Sequence, residues 1–97
     1  MENVIEKEKK KESKIVENDN AQGELVVLND DFNTFEHVIT TLKRYCGLDD
    51  MEAQICTLLI HTQGECVVMR DKKSVLYPIC ENLIESGLSA EVQDSEQ

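Results

Sequence analysis

The chain has 97 residues, of which 20 are acidic and 10 basic, and its formal net charge is −10. This length suffices for one domain, and the acidic balance disfavours nucleic acids and anionic membrane surfaces, whose phosphates attract Lys and Arg. Because no apolar run reaches the roughly 18 residues of a membrane-spanning helix and the charged N-terminus lacks the apolar core of a signal peptide, we expect a cytoplasmic protein.

Residues 1–22 differ in composition from the rest of the chain. They contain six acidic and five basic residues and few apolar ones, so they cannot bury enough surface to offset their conformational entropy. We expect a disordered N-terminal arm there, followed by one domain at 23–92 and a frayed polar tail at 93–97. Composition alone leaves open whether the arm is an inert solubilising segment or a tether to a partner.

The domain begins with a predicted strand and helix. Residues 25–28 form a short apolar, β-branched run typical of a strand. The run ends at the turn-forming residues Asn29–Asp31. Asn33 is expected to cap the first helix, with Glu36 as the reciprocal partner of a capping box. The helical pattern then continues to Gly47, a residue suited to closing a helix.

A second helix and a second strand follow. Asp49 and Glu52 repeat the capping-box spacing, and apolar residues then recur at helical spacing as far as Gly64. The apolar residues 66–69 predict the second strand.

The last predicted elements are a third helix and a third strand. The helix is expected to begin between Asp71 and Ser74 and to close at Gly87. Pro78 is a difficulty, because an interior proline loses a hydrogen bond and clashes with the preceding turn, so the helix either begins late or kinks. Residues 88–92 alternate as in a strand with one buried face. The order β-α-α-β-α-β predicts a single α+β domain with three helices packed on a three-stranded sheet.

The four cysteines do not suggest a metal site. Cys46, Cys56, Cys66 and Cys80 contain no CxxC pair and match no common zinc spacing. In the absence of an export signal, we expect reduced and mostly buried thiols, with no metal and no cofactor.

Two features could carry function. The Asn29–Asp31 turn follows the first strand and His61 lies near the end of the second helix, but each alone could be structural. The acidic pair resembles the Mg²⁺ site of phospho-receiver domains, yet the second strand lacks an acidic acceptor and the chain is too short for that fold. A catalytic pair of His61 with Cys56 or Cys66 is disfavoured because buried thiols are usually inert. We therefore expect no enzyme.

The segments LNDDFNTFEHVI and LLIHTQGECVV together resemble the ClpS family, the adaptors of the Clp proteases. The resemblance covers about residues 23–92. It implies the ClpS fold, which is similar to that of the C-terminal domain of the ribosomal stalk protein. It also implies that residues 1–22 match the flexible N-terminal extension that takes part in delivery.

The resemblance implies an adaptor that binds proteins whose free N-terminus begins with Leu, Phe, Tyr or Trp. Such an N-degron protein would be delivered to a ClpA-like or ClpC-like ATPase by a monomeric adaptor. Asn29, Asp30 and His61 would bind the α-ammonium group, and Asp31 and Asn33 the peptide backbone that follows. The hydrophobic pocket would be lined by Phe35, Val38, Thr57 and Leu88.

Several expectations qualify this assignment. His61 must be neutral to accept a hydrogen bond from an ammonium group, and an ordinary histidine titrates near pH 6.5, so binding should weaken at acidic pH. His37 matches no site position and is expected at the surface. The family often has Met where Phe35 and Thr57 stand, which leaves the preferred first residue open. The alternative is a stalk-like interaction module on the same fold with no N-degron pocket.

Overall fold

The computed structural model describes residues 21–95. The predicted arm at 1–22 therefore lies almost wholly outside the described residues, as do residues 96 and 97 of the predicted tail. The elements are β1 (Gln22–Leu28), α1 (Phe35–Cys46), α2 (Asp50–Gln63), β2 (Glu65–Lys72), α3 (Lys73–Glu85) and β3 (Ser89–Asp94). Their order is the predicted β-α-α-β-α-β.

The three strands form one antiparallel sheet in the order β2-β1-β3. The central strand is β1, whose sequence is apolar and β-branched. It pairs with a neighbouring strand on each side and is the most buried of the three strands. The β1–β2 register shifts between Leu25 and Val26, which leaves Val68 as the additional residue of β2. Such a bulge bends the strand locally.

Strand pairing extends the sheet beyond its predicted ends. Gln22 at the beginning of β1 pairs with Lys72, so β2 continues through polar residues that its apolar pattern did not indicate. Likewise Gln93 pairs with Glu24, and β3 reaches Asp94. The fraying expected from residue 93 is therefore wrong for residues 93 and 94, because backbone pairing compensates for their polar side chains.

The helix caps agree with the prediction for α2 and differ for α1. At α2, Asp49 Oδ1 accepts a hydrogen bond from Glu52 N at 2.8 Å and Glu52 Oε1 accepts one from Asp49 N at 2.9 Å, which confirms the capping box. The N-cap of α1 is Thr34, whose Oγ1 accepts a hydrogen bond from His37 N at 3.0 Å. The prediction of Asn33 as this cap is wrong, because the Asn33 side chain is engaged elsewhere.

The ends of α1 and α2 follow the sequence closely. Gly47 and Gly64 adopt left-handed conformations, with φ of 69° and 95°. The third helix begins at Lys73, inside the predicted interval, and continues through Pro78 without being terminated there. It is capped at Ser86, one residue before the predicted glycine.

The hydrophobic core lies between the helices and the sheet. It consists of Leu25, Val27, Val38, Leu42, Cys46, Ala53, Ile60, Val68, Leu76, Cys80, Leu83 and Leu88. Cys46 and Cys80 are buried, while Cys56 and Cys66 are half-buried, and none of the four forms a disulfide. Burial raises the pKa of Cys46 to about 11 and that of Cys66 to about 12. Within residues 21–95, no helix is long and apolar enough to span a membrane.

Candidate functional site

The C-terminal ends of β1 and α2 lie side by side. Asn29 N donates a hydrogen bond to Gly64 O at 2.9 Å, directly beyond the pair Leu28–Glu65. Gly64 has a φ of 95°, a conformation that glycine adopts at little steric cost, and the chain therefore passes directly from α2 into β2. Since His61 lies in the last turn of α2, this geometry brings its side chain to the turn that follows β1.

A cavity of about 330 Å³ opens at this junction. Its lining residues are Val27, Leu28, Asn29, Asp30, Asp31, Asn33, Thr34, Phe35, Val38, Thr57, Ile60 and His61. All the residues predicted for the site are among them except Leu88. That side chain is buried in the core just before β3 and is not among the residues that line the cavity.

The lining also includes residues that the sequence reasoning missed. Val27 and Leu28 are the last residues of β1 before Asn29, and Thr34 is the N-cap of α1. Ile60 lies three residues after Thr57, on the same face of α2. Helical spacing from Thr57 could have identified Ile60, whereas the contribution of β1 depends on how the strand meets the helices.

Asp30 organises the turn between β1 and α1. Its Oδ1 accepts hydrogen bonds from Phe32 N at 2.9 Å and Asn33 N at 3.1 Å, and its Oδ2 accepts one from Asn33 Nδ2 at 2.9 Å. Partial burial by itself would raise the pKa of Asp30, but these three hydrogen bonds outweigh that effect and lower the pKa below its ordinary value. Asp30 therefore carries its negative charge at neutral pH.

Asn33 fastens the same turn to the loop between α3 and β3. Its Nδ2 donates to Asp30 Oδ2 and also to Gly87 O, each at 2.9 Å. Both amide hydrogens are thus engaged within the protein. Asn33 can offer a peptide backbone only its amide oxygen, a narrower role than the one predicted from the sequence.

His37 reinforces this connection from the first turn of α1. Its Nε2 lies 2.7 Å from Ser86 O. A carbonyl oxygen can only accept a hydrogen bond, so Nε2 is the donor. His37 is exposed, as expected, yet its ring holds α1 against the α3–β3 loop, a contact that no local sequence pattern indicates.

The inner wall of the cavity is apolar. Val38 and Ile60 are buried, and Thr57 is only 3% exposed. The Thr57 hydroxyl donates to Ala53 O at 2.7 Å, so the wall carries no unpaired hydroxyl donor there. At the rim, the rings of Phe35 and His61 meet edge to face, with centroids 5.4 Å apart and an interplanar angle of 73°. The two helices are thereby joined at the edge of the cavity.

The polar side of the cavity is acidic. Asp30 and Asp31 line it, and none of the lining residues in the described part of the chain is Lys or Arg. Residues 21–95 also contain no group of three His, Cys, Asp or Glu side chains that could hold a metal ion. The arrangement suits a ligand that joins a positive charge to an apolar group.

Comparison with known proteins identifies the family. The family model described as "ATP-dependent Clp protease adaptor protein ClpS" matches residues 18–91. The chain belongs to the ClpS family. Its members are adaptors of the Clp protease, so the resemblance stated from the sequence is confirmed.

Two curated relatives, both named ATP-dependent Clp protease adapter protein ClpS, support the assignment. The ClpS of Thermosynechococcus vestitus is 33% identical over 66 residues, which cover 67% of this chain and 70% of that protein. The ClpS of Hydrogenovibrio crunogenus is 38% identical over 42 residues, which cover 43% of this chain and 40% of that protein. The second match therefore spans less than half of the relative.

A solved structure confirms the predicted ClpS fold. The structure of Agrobacterium tumefaciens ClpS2 bound to L-phenylalaninamide superposes with a TM-score of 0.72, covering 78% of this chain and 99% of the other. The two sequences are 20% identical, so this similarity establishes the architecture.

Proposed function

We propose that this protein is a non-enzymatic adaptor that binds the free N-terminus of proteins beginning with Leu, Phe, Tyr or Trp and delivers them to the ATPase of a Clp protease. The observation that carries the proposal is the cavity that joins Asn29, Asp30 and His61 to an apolar wall. Capture of an N-terminal amine is a recurrent mode of protein recognition.

The polar side of the cavity fits an α-ammonium group. Such a group has a pKa of about 7.7–8.0, so it is mostly charged at neutral pH. It carries three N–H donors; in the proposed complex the Asn29 amide oxygen and a neutral ring nitrogen of His61 accept from it, and Asp30 provides the negative charge. An N-acetylated terminus is uncharged and would be rejected.

The apolar side fits the first side chain of the cargo. That side chain would enter between α1 and α2, against Val38, Thr57 and Ile60, with Phe35 at the rim. L-Phenylalaninamide, the molecule bound in the ClpS2 structure, has a free amine, a benzyl side chain and a blocked carboxyl group. It mimics the first residue of a chain that begins with Phe, and it supports the same ligand class here.

The expected affinity is moderate. A charge-assisted hydrogen bond contributes roughly 1.5–3 kcal/mol, and burial of a Leu or Phe side chain contributes about 1.5–3 kcal/mol. Because the entropy of association opposes these gains, we expect a Kd no tighter than about 1 μM, which corresponds to about −8 kcal/mol. This strength suits an adaptor that must release its cargo.

Titration with paired peptides tests the proposal. A fluorescent peptide that begins with Phe should bind the full chain with about micromolar Kd, and its N-acetylated twin should bind at least 100-fold more weakly. Equal binding of the twins would refute the amine site. If neither peptide binds, the alternative of a stalk-like interaction module without an N-degron pocket is favoured.

Single substitutions test the assigned residues. Asn29→Ala and His61→Ala should each weaken binding of the Phe peptide tenfold or more, because each removes a hydrogen bond to a charged group. Asn82→Ala is the matched control, since Asn82 is exposed on α3 away from the cavity. Unchanged circular dichroism spectra would exclude unfolding as the cause. Parent-like affinity in both site variants would refute the assignment.

Delivery requires a separate measurement. A folded protein that begins with Phe should be degraded faster by a reconstituted Clp protease when this adaptor is added, and removal of residues 1–20 should abolish the acceleration while leaving peptide affinity unchanged. That result would support the predicted role of the N-terminal segment as a tether. Acceleration without the segment would instead support a solubilising role.

A further inference from the structure

A second cavity lies beside the first, in the groove between α1 and α2. It has a volume of about 340 Å³ and is lined by Phe35, Ile39, Gln54, Ile55 and Leu58. Phe35 also lines the first cavity. One aromatic side chain therefore forms the wall that the two cavities share.

The groove is made largely of exposed apolar side chains, although Ile39 also packs against the core. Ile55 and Leu58 are each 52% exposed and Phe35 is 45% exposed, although α2 buries its opposite face against the domain. Exposed apolar clusters of this kind commonly mark a binding surface. Among the described residues 21–95, no charged side chain contributes to the lining, so an apolar occupant is favoured.

We propose that this groove is a second subsite, which receives the side chain of the third residue of the cargo and favours an apolar one. The proposal rests on the proposed function, because the first cavity must hold residue 1. In an extended peptide, side chains 1 and 3 project to the same side and lie about 7 Å apart. That spacing suits two neighbouring subsites separated by a single aromatic ring.

The shared wall also argues for cargo as the occupant. A second copy of the chain or a surface of the ATPase seated in the groove would cover Phe35, which stands at the rim of the first cavity against His61. Such a partner would obstruct the cavity while cargo is bound. A peptide that continues from the first cavity into the groove encounters no such conflict.

Gln54 gives the groove one polar contact. It is exposed, and within the described part of the chain it is the only polar residue that lines this cavity. A side-chain amide can both donate to and accept from a peptide backbone. The groove thus combines an apolar floor with a group able to hold an extended chain, as ligand sites commonly do.

Position-specific peptides test this proposal. Three free-amine peptides that begin Phe-Ser-Leu, Phe-Leu-Ser and Phe-Ser-Ser, with identical remaining residues, would be titrated against the full chain. Phe-Ser-Leu should bind about tenfold more tightly than the other two, as expected for partial burial of one leucine side chain. Equal affinities, or a preference for Leu at position 2, would overturn the proposal.

Two matched variants assign the preference to the groove. Ile55→Ser should reduce the advantage of Phe-Ser-Leu to less than twofold and leave the affinity for Phe-Ser-Ser unchanged. Ile84→Ser is the control, because Ile84 is equally exposed, at 52%, but lies on α3; it should retain the full advantage. An advantage that persists in Ile55→Ser, or an equal weakening of all three peptides, would overturn the subsite.

The N-acetylated twins separate this proposal from the proposed function. If binding depends on the free amine but not on the identity of residue 3, the second subsite is refuted and the proposed amine site still stands. Binding of the acetylated peptides with equal strength would refute the amine site, and the subsite with it. Loss of ATPase binding in Ile55→Ser, with the residue 3 preference intact, would assign the groove to the ATPase and overturn the proposal.

Discussion

The side-chain amide of Asn33 lies 2.9 Å from the carboxylate of Asp30, and the same nitrogen lies 2.9 Å from Gly87 O. Through this nitrogen, the turn that carries the acidic side of the cavity is fastened to the loop between α3 and β3. The acidic turn is therefore held by a contact 54 residues away in the sequence as well as by its own hydrogen bonds.

Asn33→Ala should loosen this turn without removing a group needed to hold the amine. We expect a loss of about 1 kcal/mol in the free energy of unfolding, because two hydrogen bonds disappear from a half-exposed site. Affinity for a Phe-first peptide should fall several-fold. Urea unfolding and peptide titration measure the two effects.

Asn33→Asp provides a sharper comparison for the same position. The side chain keeps its size but replaces the two donors with a second carboxylate beside Asp30. We expect a larger loss of stability than in Asn33→Ala, because two like charges then lie in contact. If Asn33→Asp leaves the protein as stable as the parent, the observed hydrogen bonds do not hold the turn.

His37 should contribute to stability through its hydrogen bond to Ser86 O. His37→Ala is expected to cost about 0.5–1.5 kcal/mol in the free energy of unfolding. His37→Gln places an amide nitrogen near the position of Nε2 and should recover most of that loss. If His37→Gln is no more stable than His37→Ala, the loss of stability comes from the packing of the ring and not from its hydrogen-bond donor.

The N-terminal end of α1 also shows where sequence reasoning reached its limit. Asn33 and Thr34 both suit a helix cap, and the choice between them depends on Asp30 and Gly87, which engage Asn33 from outside the helix. The α2 cap was predictable because Asp49 and Glu52 satisfy each other locally. The cap satisfied by local contacts was thus read correctly from the sequence, and the cap whose candidate residue is engaged by a distant partner was not.

The same distinction applies to the cavity. Asn29, Asp30 and His61 were placed together through a motif resemblance, and the structure does bring them to one cavity. Leu88 was assigned to the same wall, but it lies in the core just before β3 and is not among the lining residues. Apolar character alone does not show which core residues also face the cavity, as Val38 and Ile60 do.

The pH dependence of stability should include a contribution from Asp30. Partial burial would raise the pKa of this group, but the hydrogen bonds from Phe32 and Asn33 lower it below the ordinary value of 3.8. A carboxyl group with a lowered folded-state pKa stabilises the fold at pH values above its unfolded pKa. That stabilisation is lost as the pH falls through the folded-state pKa.

The stability difference between the parent and Asp30→Asn isolates this contribution. Because a protonated Asp resembles Asn, the difference should be constant from pH 7 to about pH 5 and should narrow as the pH falls below the ordinary value of 3.8. Urea unfolding at several pH values measures it, with Asp31→Asn as the control for removal of a neighbouring charge. A stability difference that grows as the pH falls would contradict the lowered pKa of Asp30.

Pro78 should be a site where substitution stabilises the fold. It lies inside α3, where proline cannot donate the hydrogen bond to the carbonyl four residues earlier and its ring crowds that carbonyl. Pro78→Ala should raise the free energy of unfolding by about 1–3 kcal/mol, and the melting temperature by about 4–8 °C for each kcal/mol. Asn82→Ala on the same helix should gain less than about 0.7 kcal/mol, because it improves helix propensity alone. If Pro78→Ala gains no more than Asn82→Ala, the interior proline does not destabilise the fold as expected.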